Sequence, residues 1–297
     1  EVTAIDTAAL GDLPESSLSE SLFRASLPKF DELRRLDAVD YRTVAGLKHA
    51  YLHAKFEAFR TAGHADDPLW QDFLAFIDRG GAALERFATF RALETRQSSP
   101  WRSWGGGLSD SGSTAVATFA AQEPLMLGYE YFCQWLADRQ LAAAARRAAA
   151  AGLTLGLYRD LAVGCAPDGA EAWACSGAFA AGASIGAPPD PFSAAGQNWN
   201  LPPPNPLSMA ANGFAAFHTL IAANMRHAGI LRIDHVMALT RLFWVPDGAR
   251  TSEGAYVAYP RDALLAELAL ESRRRGCTVI GEDLGTVPEG FREELAD

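Results

Sequence analysis

Apolar residues recur every three or four positions through most of the first 120 residues, and the pattern then changes. SLSESLFRASLPKFDELRRL, VDYRTVAGLKHAYLHAKFEAFRTAG and DDPLWQDFLAFIDRGGAALERFATFRAL each carry the helical period and predict amphipathic helices. Asp40 before Tyr41 and the DDP at 66–68 read as helix starts, and Gly63 as a stop. SSPWRSWGGGLSDSGS, 98–113, is rich in Gly and Ser and breaks the period, which predicts a loop and a candidate subdomain boundary.

Beyond it, YEYFCQWLADRQLAAAARRAAAAG predicts a long alanine-rich helix closed by Gly152, and LTLGLYRDLAVG a short strand with a polar end. AANGFAAFHTLIAANMRHAG predicts a helix ending at Gly229, followed by the strand ILRIDHVMAL. RDALLAELALESRRRG predicts a helix ending at Gly276, followed by the strand CTVIGEDLG. Helix, Gly, apolar strand, polar residues at the strand end: the unit occurs three times and predicts parallel strands with helical crossovers. A (β/α) barrel and an open doubly wound sheet both satisfy it. The glycine-rich phosphate loop of a nucleotide-binding open sheet is missing, since GGGLSDSGS follows no strand and has the wrong spacing. The expected fold is therefore α/β, with a (β/α) barrel favoured and about three of its strands clearly present; residues 1–120 read as mainly helical and 121–297 as the part that carries the strands.

Composition narrows the partners. With 297 residues, 49% hydrophobic and 21% charged, the chain reads as soluble and globular, and its net charge of −10 argues against nucleic acid. No apolar run is long enough for a bilayer, because LAAAARRAAAAGLTLGLY is interrupted by Arg146 and Arg147. The N-terminus has neither the basic start and apolar core of a signal peptide nor an initiator Met, as expected of a piece of a longer protein. Cys133, Cys165, Cys175 and Cys277 match no CxxC or zinc spacing and read as reduced, which points to the cytoplasm. The oligomeric state is left open.

The candidate chemistry sits at strand ends, where polar residues on several barrel strands read as catalytic. Strand alternation puts Arg232 and Asp234 on one face and Leu231 and Ile233 on the other. Arg232 would keep Asp234 ionised. Gly281, Glu282 and Asp283 end the next strand. Neighbouring strands lie about 4.8 Å apart, so Asp234 and Glu282 could face one another at roughly 5 Å, the separation of retaining glycosidic chemistry. One carboxylate attacks the anomeric carbon while the other protonates the departing oxygen, and Glu282 beside anionic groups would have the raised pKa an acid needs. An Arg-x-Asp pair can equally tie two strands together, a Glu-Asp before Gly can be an exposed turn, and His235 can be a satisfied core histidine. Two such strand ends in succession favour a site. SIGAPPDPFSAAGQNWNLPPPNP, 184–206, reads as a long, irregular, proline-stiffened loop carrying Asp190, Phe192, Gln197, Asn198 and Trp199, residue types that stack on sugar rings and bind hydroxyls. A packed structural loop is the competing reading, stronger for Phe192 than for Gln197 and Trp199.

LRIDHVMALTRLFWVP, VIGEDLGTVP, SIGAPPD, GQNWNLPP and LYRDLAVG together resemble the amylomaltases, the disproportionating 4-α-glucanotransferases; VDY, WLADRQLAAA and GAYVAYP extend the resemblance from about residue 30 to the end. The resemblance implies a partial, amylase-like (β/α)8 TIM-type barrel, with 1–120 its mainly helical inserted subdomain and 121–297 its central part, that transfers α-1,4-glucan segments from a maltodextrin donor to glucose or a glucan acceptor. Paired carboxylates need no cofactor or metal for such chemistry, and none is expected. It implies Asp234 as nucleophile, Glu282 as acid/base, Arg232 as the nucleophile's support and His235 near the sugar. Asp190, Gln197 and Trp199 match the loop over the acceptor side, and Asp168 in PDGAEAW a further substrate-site acid. Tyr41 matches an aromatic of a secondary glucan site, which packing in the helical subdomain explains equally well. Asn200 stands where many relatives have Gly, a change Asn tolerates because it enters left-handed conformations. The family's third carboxylate, an Asp after a His on a later strand, has no counterpart before Asp297, so the chain resembles the centre of such an enzyme and its activity alone is in question. An amylase-like hydrolase and a non-catalytic glucan-binding piece are the alternatives.

Overall fold

The computed structural model describes residues 2–97, 99–191 and 193–296; Phe192 lies outside the described residues. Contacts divide the chain into two units, one of residues up to 108 with 112–144, the other of 109–111 with 145 onward.

The first unit is helical: α1 (Ser17–Leu33), α2 (Tyr41–Ala62), α3 (Pro68–Arg96), α4 (Thr114–Gln122) and most of α5 (Pro124–Ala150). The expected starts hold. Asp40 accepts from the Thr43 N–H at the head of α2, and Asp67 from the Leu69 N–H with Pro68 in the first turn of α3. The predicted third helix carries a kink at Gly81 (φ 50°). Phe56 and Phe59 of α2, Phe73 and Phe76 of α3, and Phe132, Trp135 and Leu136 of α5 bury one apolar stripe apiece in a common core. Each buried aromatic contributes about 1.5–3 kcal/mol of transfer free energy. Lys55 is fully buried among them, its Nζ 2.9 Å from Glu15 Oε1 and 3.4 Å from the carbonyls of Leu10, Leu13 and Pro14. Because α5 is continuous, the contact boundary falls near residue 144, later than the change of sequence pattern at 120.

In the second unit, β1 (Tyr158–Leu161) is followed by α6 (Ala170–Ala174), β2 (Ala183–Ala187), β3 (Gln197–Leu201), α7 (Pro206–Ala211), α8 (Ala215–Met225), β4 (Ile230–Ile233), β5 (Arg241–Pro246), β6 (Ala255–Ala258), α9 (Arg261–Arg275), β7 (Thr278–Gly281) and α10 (Phe291–Ala296). The three predicted strands form one parallel sheet in the order β1-β4-β7, with Leu161, Ile233 and Gly281 in register. This is the expected α/β arrangement of barrel strands. Leu231 and Ile233 join Ile221 and Met225 of α8 and Leu264 and Leu268 of α9 in one apolar cluster. Gly276 caps α9 in the left-handed conformation, as its position predicts.

Three expectations are corrected. The helix over 210–229 is broken at Gly213 and Phe214, both left-handed, and after Met225 the turn is made by left-handed His227, ahead of Gly229. The strand ILRIDHVMAL ends at Ile233, where left-handed His235 starts a 3-10 turn, Val236–Leu239. And 184–206 is no irregular loop: β2 and β3 form a hairpin inside a second, antiparallel sheet of order β3-β2-β5-β6. The prolines that suggested a loop, 188, 189 and 191 and then 202 to 204, flank the two strands, where no ladder N–H is required. Gly186 marks a register shift in β2; a Cβ there would lie 2.1 Å from the Gln197 carbonyl oxygen, so only glycine permits this pairing.

Candidate active site

Arg232 is the centre of the site. In the β1–β4 register it lies opposite Asp160, and its Nη1 bonds Asp160 Oδ1 at 2.6 Å. Its Nη2 lies 2.9 Å from Asp234 Oδ1 and 3.9 Å from Glu282 Oε2. The two carboxylate oxygens therefore lie no farther apart than the sum of 2.9 and 3.9 Å. That ceiling admits the ~5 Å spacing of retaining carboxylates and only the lowest edge of the ~6.5–9.5 Å inverting range. The Asp160 bond first, and Asp234 after it, hold the guanidinium still more firmly protonated.

Backbone geometry delivers both acids. Asp234 and Glu282 each stand one residue beyond a strand, past the paired Ile233 and Gly281. The ladder continues through them: the Asp234 N–H donates to the Leu161 carbonyl (3.0 Å), the Glu282 N–H to the Ile233 carbonyl (2.9 Å), and the Val236 N–H to the Glu282 carbonyl (2.8 Å). The left-handed backbone at His235 (φ 50°, ψ 58°) turns two successive N–H groups toward Glu282. Val236 takes its carbonyl, and the His235 N–H bonds its Oε2 at 2.9 Å. Glu282 Oε1 accepts from the Leu284 N–H at 2.7 Å. Close approach at Gly281 makes this possible, since a Cβ there would fall 2.8 Å from the Val236 side chain.

His235 is no isolated core histidine. Burial lowers its pKa against the opposing pull of Glu282 and Asp234. The Trp199 ring packs edge-on against its imidazole, centroids 5.2 Å apart at 83°. The Trp199 Nε1–H donates to Gln197 Oε1 at 2.9 Å, two residues away on the same face of β3. Left-handed Asn200 (φ 55°) follows, its N–H bonded to Asn198 Oδ1, which also accepts from the Ser184 hydroxyl. The far end of the hairpin is held by Tyr259, whose hydroxyl donates to the Pro204 carbonyl at 2.5 Å and accepts from Trp244 Nε1.

Gln197, Trp199, His235, Glu282, Arg232 and Asp234 thus form one connected series. The other sequence candidates stand elsewhere. Asp190, half-buried, closes the hairpin turn by accepting from the Ser193 N–H at 2.6 Å. Asp168 is exposed in the turn leading to α6. Tyr41, 66% exposed, opens α2 in the helical unit. Sequence reading missed Asp160, although it is a polar residue at the end of a predicted strand, the same signal that marked Asp234. It also missed Tyr259, although its segment GAYVAYP belongs to the family resemblance, because nothing local marks that hydroxyl as reaching the hairpin. Among the described residues no group of three or more His, Cys, Asp or Glu side chains is arranged to hold a metal ion. No helix among them is long and apolar enough to cross a membrane.

A family model described as 4-alpha-glucanotransferase matches residues 4–297. A 4-alpha-glucanotransferase of Mycobacterium tuberculosis is 40% identical over 261 residues, covering 88% of this chain and 35% of the relative. One of Haemophilus influenzae is 37% identical over 277 residues, covering 90% and 40%. The crystal structure of amylomaltase from Corynebacterium glutamicum superimposes over 100% of this chain and 40% of that one, with TM-score 0.82 and 34% identity. Amylomaltase from Streptococcus agalactiae shares the fold, with TM-score 0.75 and 19% identity over 94% of this chain and 57% of that one. The chain spans about 35 to 40% of the length of these first two curated relatives.

Proposed function

The chain belongs to the 4-alpha-glucanotransferase family, and from that premise we propose that it moves α-1,4-glucan segments from a maltodextrin donor to glucose or a glucan acceptor by retaining double displacement. Asp234 attacks the anomeric carbon, forming a glycosyl ester, while the Glu282 carboxyl gives its proton to the departing glycosidic oxygen. The acceptor's 4-hydroxyl then loses its proton to Glu282 as its oxygen displaces Asp234. Paired carboxylates carry this chemistry without a metal or cofactor.

The observation that supports the reading best is the shared contact of Asp234 and Glu282 with one guanidinium nitrogen, at the ends of adjacent parallel strands. Arg232 orients the nucleophile, and the hairpin residues Gln197 and Trp199 with Asp190 form the acceptor side. Asp168 contributes a further hydroxyl contact, and Tyr41 belongs to a secondary glucan site on the helical subdomain. The reading places the protein in the cytoplasm, where unbridged cysteines such as Cys133, Cys165, Cys175 and Cys277 are the stable form.

The test is incubation with maltotriose, using both these 297 residues and an active longer chain that contains them. A ladder of maltodextrins longer than the donor, lost in Asp234→Asn and Glu282→Gln, is expected. Release of glucose and maltose with no longer products would overturn transfer in favour of hydrolysis.

A further inference from the structure

We propose that Trp199, oriented by Gln197, is a positioning residue for Glu282 and acts on it through His235. The inference rests on the assignment of Glu282 as the acid/base. It goes beyond a role for the indole as a surface against sugar, because the indole contacts a residue that itself bonds the acid.

Three observations carry it. First, the bond from His235 to Glu282 Oε2 comes from the backbone, so it depends on the left-handed conformation at position 235 and on no property of the imidazole. A side chain with a Cβ is disfavoured in that conformation and persists there only when its surroundings hold it. Second, the contacts that hold it come from both sides. The Ala238 N–H bonds the His235 carbonyl at 2.9 Å, and the Trp199 ring stands edge-on against the imidazole. Third, the indole is itself fixed. Its Nε1–H is bound by Gln197, and the strand beyond it turns at left-handed Asn200, pinned through Asn198 to Ser184 of the neighbouring strand. Gln197 is an exposed residue whose amide oxygen is spent on orienting this ring. The hairpin thereby sets the carboxyl that must deliver a proton to the leaving oxygen.

Leaving-group dependence separates positioning of the acid from contact with sugar. Methyl α-maltoside needs a proton on its departing oxygen, whereas α-maltosyl fluoride expels fluoride without one, and neither donor places a sugar on the acceptor side. In an active chain containing these residues, the first step is followed in a single turnover with each donor. Glu282→Gln is the reference and is expected to lose far more rate on the methyl glycoside than on the fluoride. Trp199→Leu is expected to slow cleavage of the methyl glycoside about tenfold and fluoride release by less than about threefold. Gln197→Ala is expected to show the same selectivity at smaller size, and Trp199→Phe, which keeps a ring edge at His235, to be less selective between the donors than Trp199→Leu. Gln197→Ala decides the matter if Trp199→Leu does not fold.

Equal losses on both donors in the Trp199 and Gln197 variants, with Glu282→Gln selective, would overturn the positioning role and leave the assignment of Glu282 standing. Equal losses in Glu282→Gln itself would overturn that assignment and the inference with it.

Discussion

Asp160 and Arg232 face each other across the β1–β4 register and meet at 2.6 Å, so the arginine that supports the candidate nucleophile is held from the opposite side by a second strand. The pair splits the guanidinium: one nitrogen serves Asp160, the other Asp234 and Glu282. A lysine carries its three donors on one nitrogen and lacks the planar fork that reaches Asp160 on one side and the two acids on the other. Arg232→Lys should lower kcat/KM on maltotriose by roughly 10- to 100-fold, the equivalent of one charge-assisted bond. Asp160→Asn, at a partly exposed site, should cost only about fivefold. Steady-state kinetics on an active chain checks both; an Arg232→Lys variant with wild-type kcat/KM would refute the shared-nitrogen arrangement.

Gly281 should tolerate no side chain. The Cβ of Gly281→Ala would press on Val236, the residue whose N–H holds the Glu282 carbonyl. Overpacking of this kind costs about 1–3 kcal/mol. Urea unfolding of the chain should show a loss of that size, and activity should fall further than stability because Glu282 is the next residue.

Lys55→Met should destabilise the helical unit by about 1–3 kcal/mol. The methylene stem is replaced without loss of volume, but the carbonyls of Leu10, Leu13 and Pro14 lose their donor in a buried setting. Thermal unfolding followed by circular dichroism measures the effect. The segment before α1 should become more susceptible to proteolysis in the same variant.

Stability should fall on acidification below about pH 6.5, the unfolded histidine value. Burial lowers the pKa of His49, His53 and His235 in the folded chain. Below 6.5 the unfolded state takes up protons that the folded state does not, so stability is complete above that pH and is lost as pH falls toward the folded values. His49 bonds the Tyr129 hydroxyl at 2.7 Å, and His53 stacks on the same ring at 3.5 Å, so both are tied to buried structure. Urea midpoints between pH 5 and 8 should trace the loss, and replacing His53 with Gln should make the slope shallower.

Cutting back the hairpin turn should favour water as acceptor. The turn between β2 and β3 is closed by the Asp190–Ser193 bonds and tied to Thr251 through the Ala195 carbonyl. A short glycine link in place of 189–195 leaves the carboxylates intact and should open the proposed acceptor side to water. The fraction of maltotriose turnover ending in hydrolysis should rise, read as free glucose against the yield of longer maltodextrins. An unchanged ratio would dismiss the hairpin as the cause of transfer.

Much of this molecule was legible in one dimension. Helical periods with their Asp caps at 40 and 67 placed α2 and α3, and a helix, a glycine and an apolar strand recurring three times placed the β1-β4-β7 sheet. Both carboxylates and their arginine were visible because charges interrupting apolar strands are costly and therefore conspicuous. These are local signals, set by propensity, period and desolvation along a few residues, and sequence alone determined them.

Only the tertiary structure decided how they are used. That one nitrogen of Arg232 serves two acids, that Asp160 holds the other, and that Trp199 reaches His235 depend on register between strands dozens of residues apart. The second sheet was hidden because prolines crowd the ends of its β2–β3 hairpin and β2 pairs with the distant β5. The left-handed turn at His235 was hidden for a related reason: an L-residue enters that conformation only under compulsion from neighbours, and those neighbours, Glu282 and Trp199, arrive from other strands.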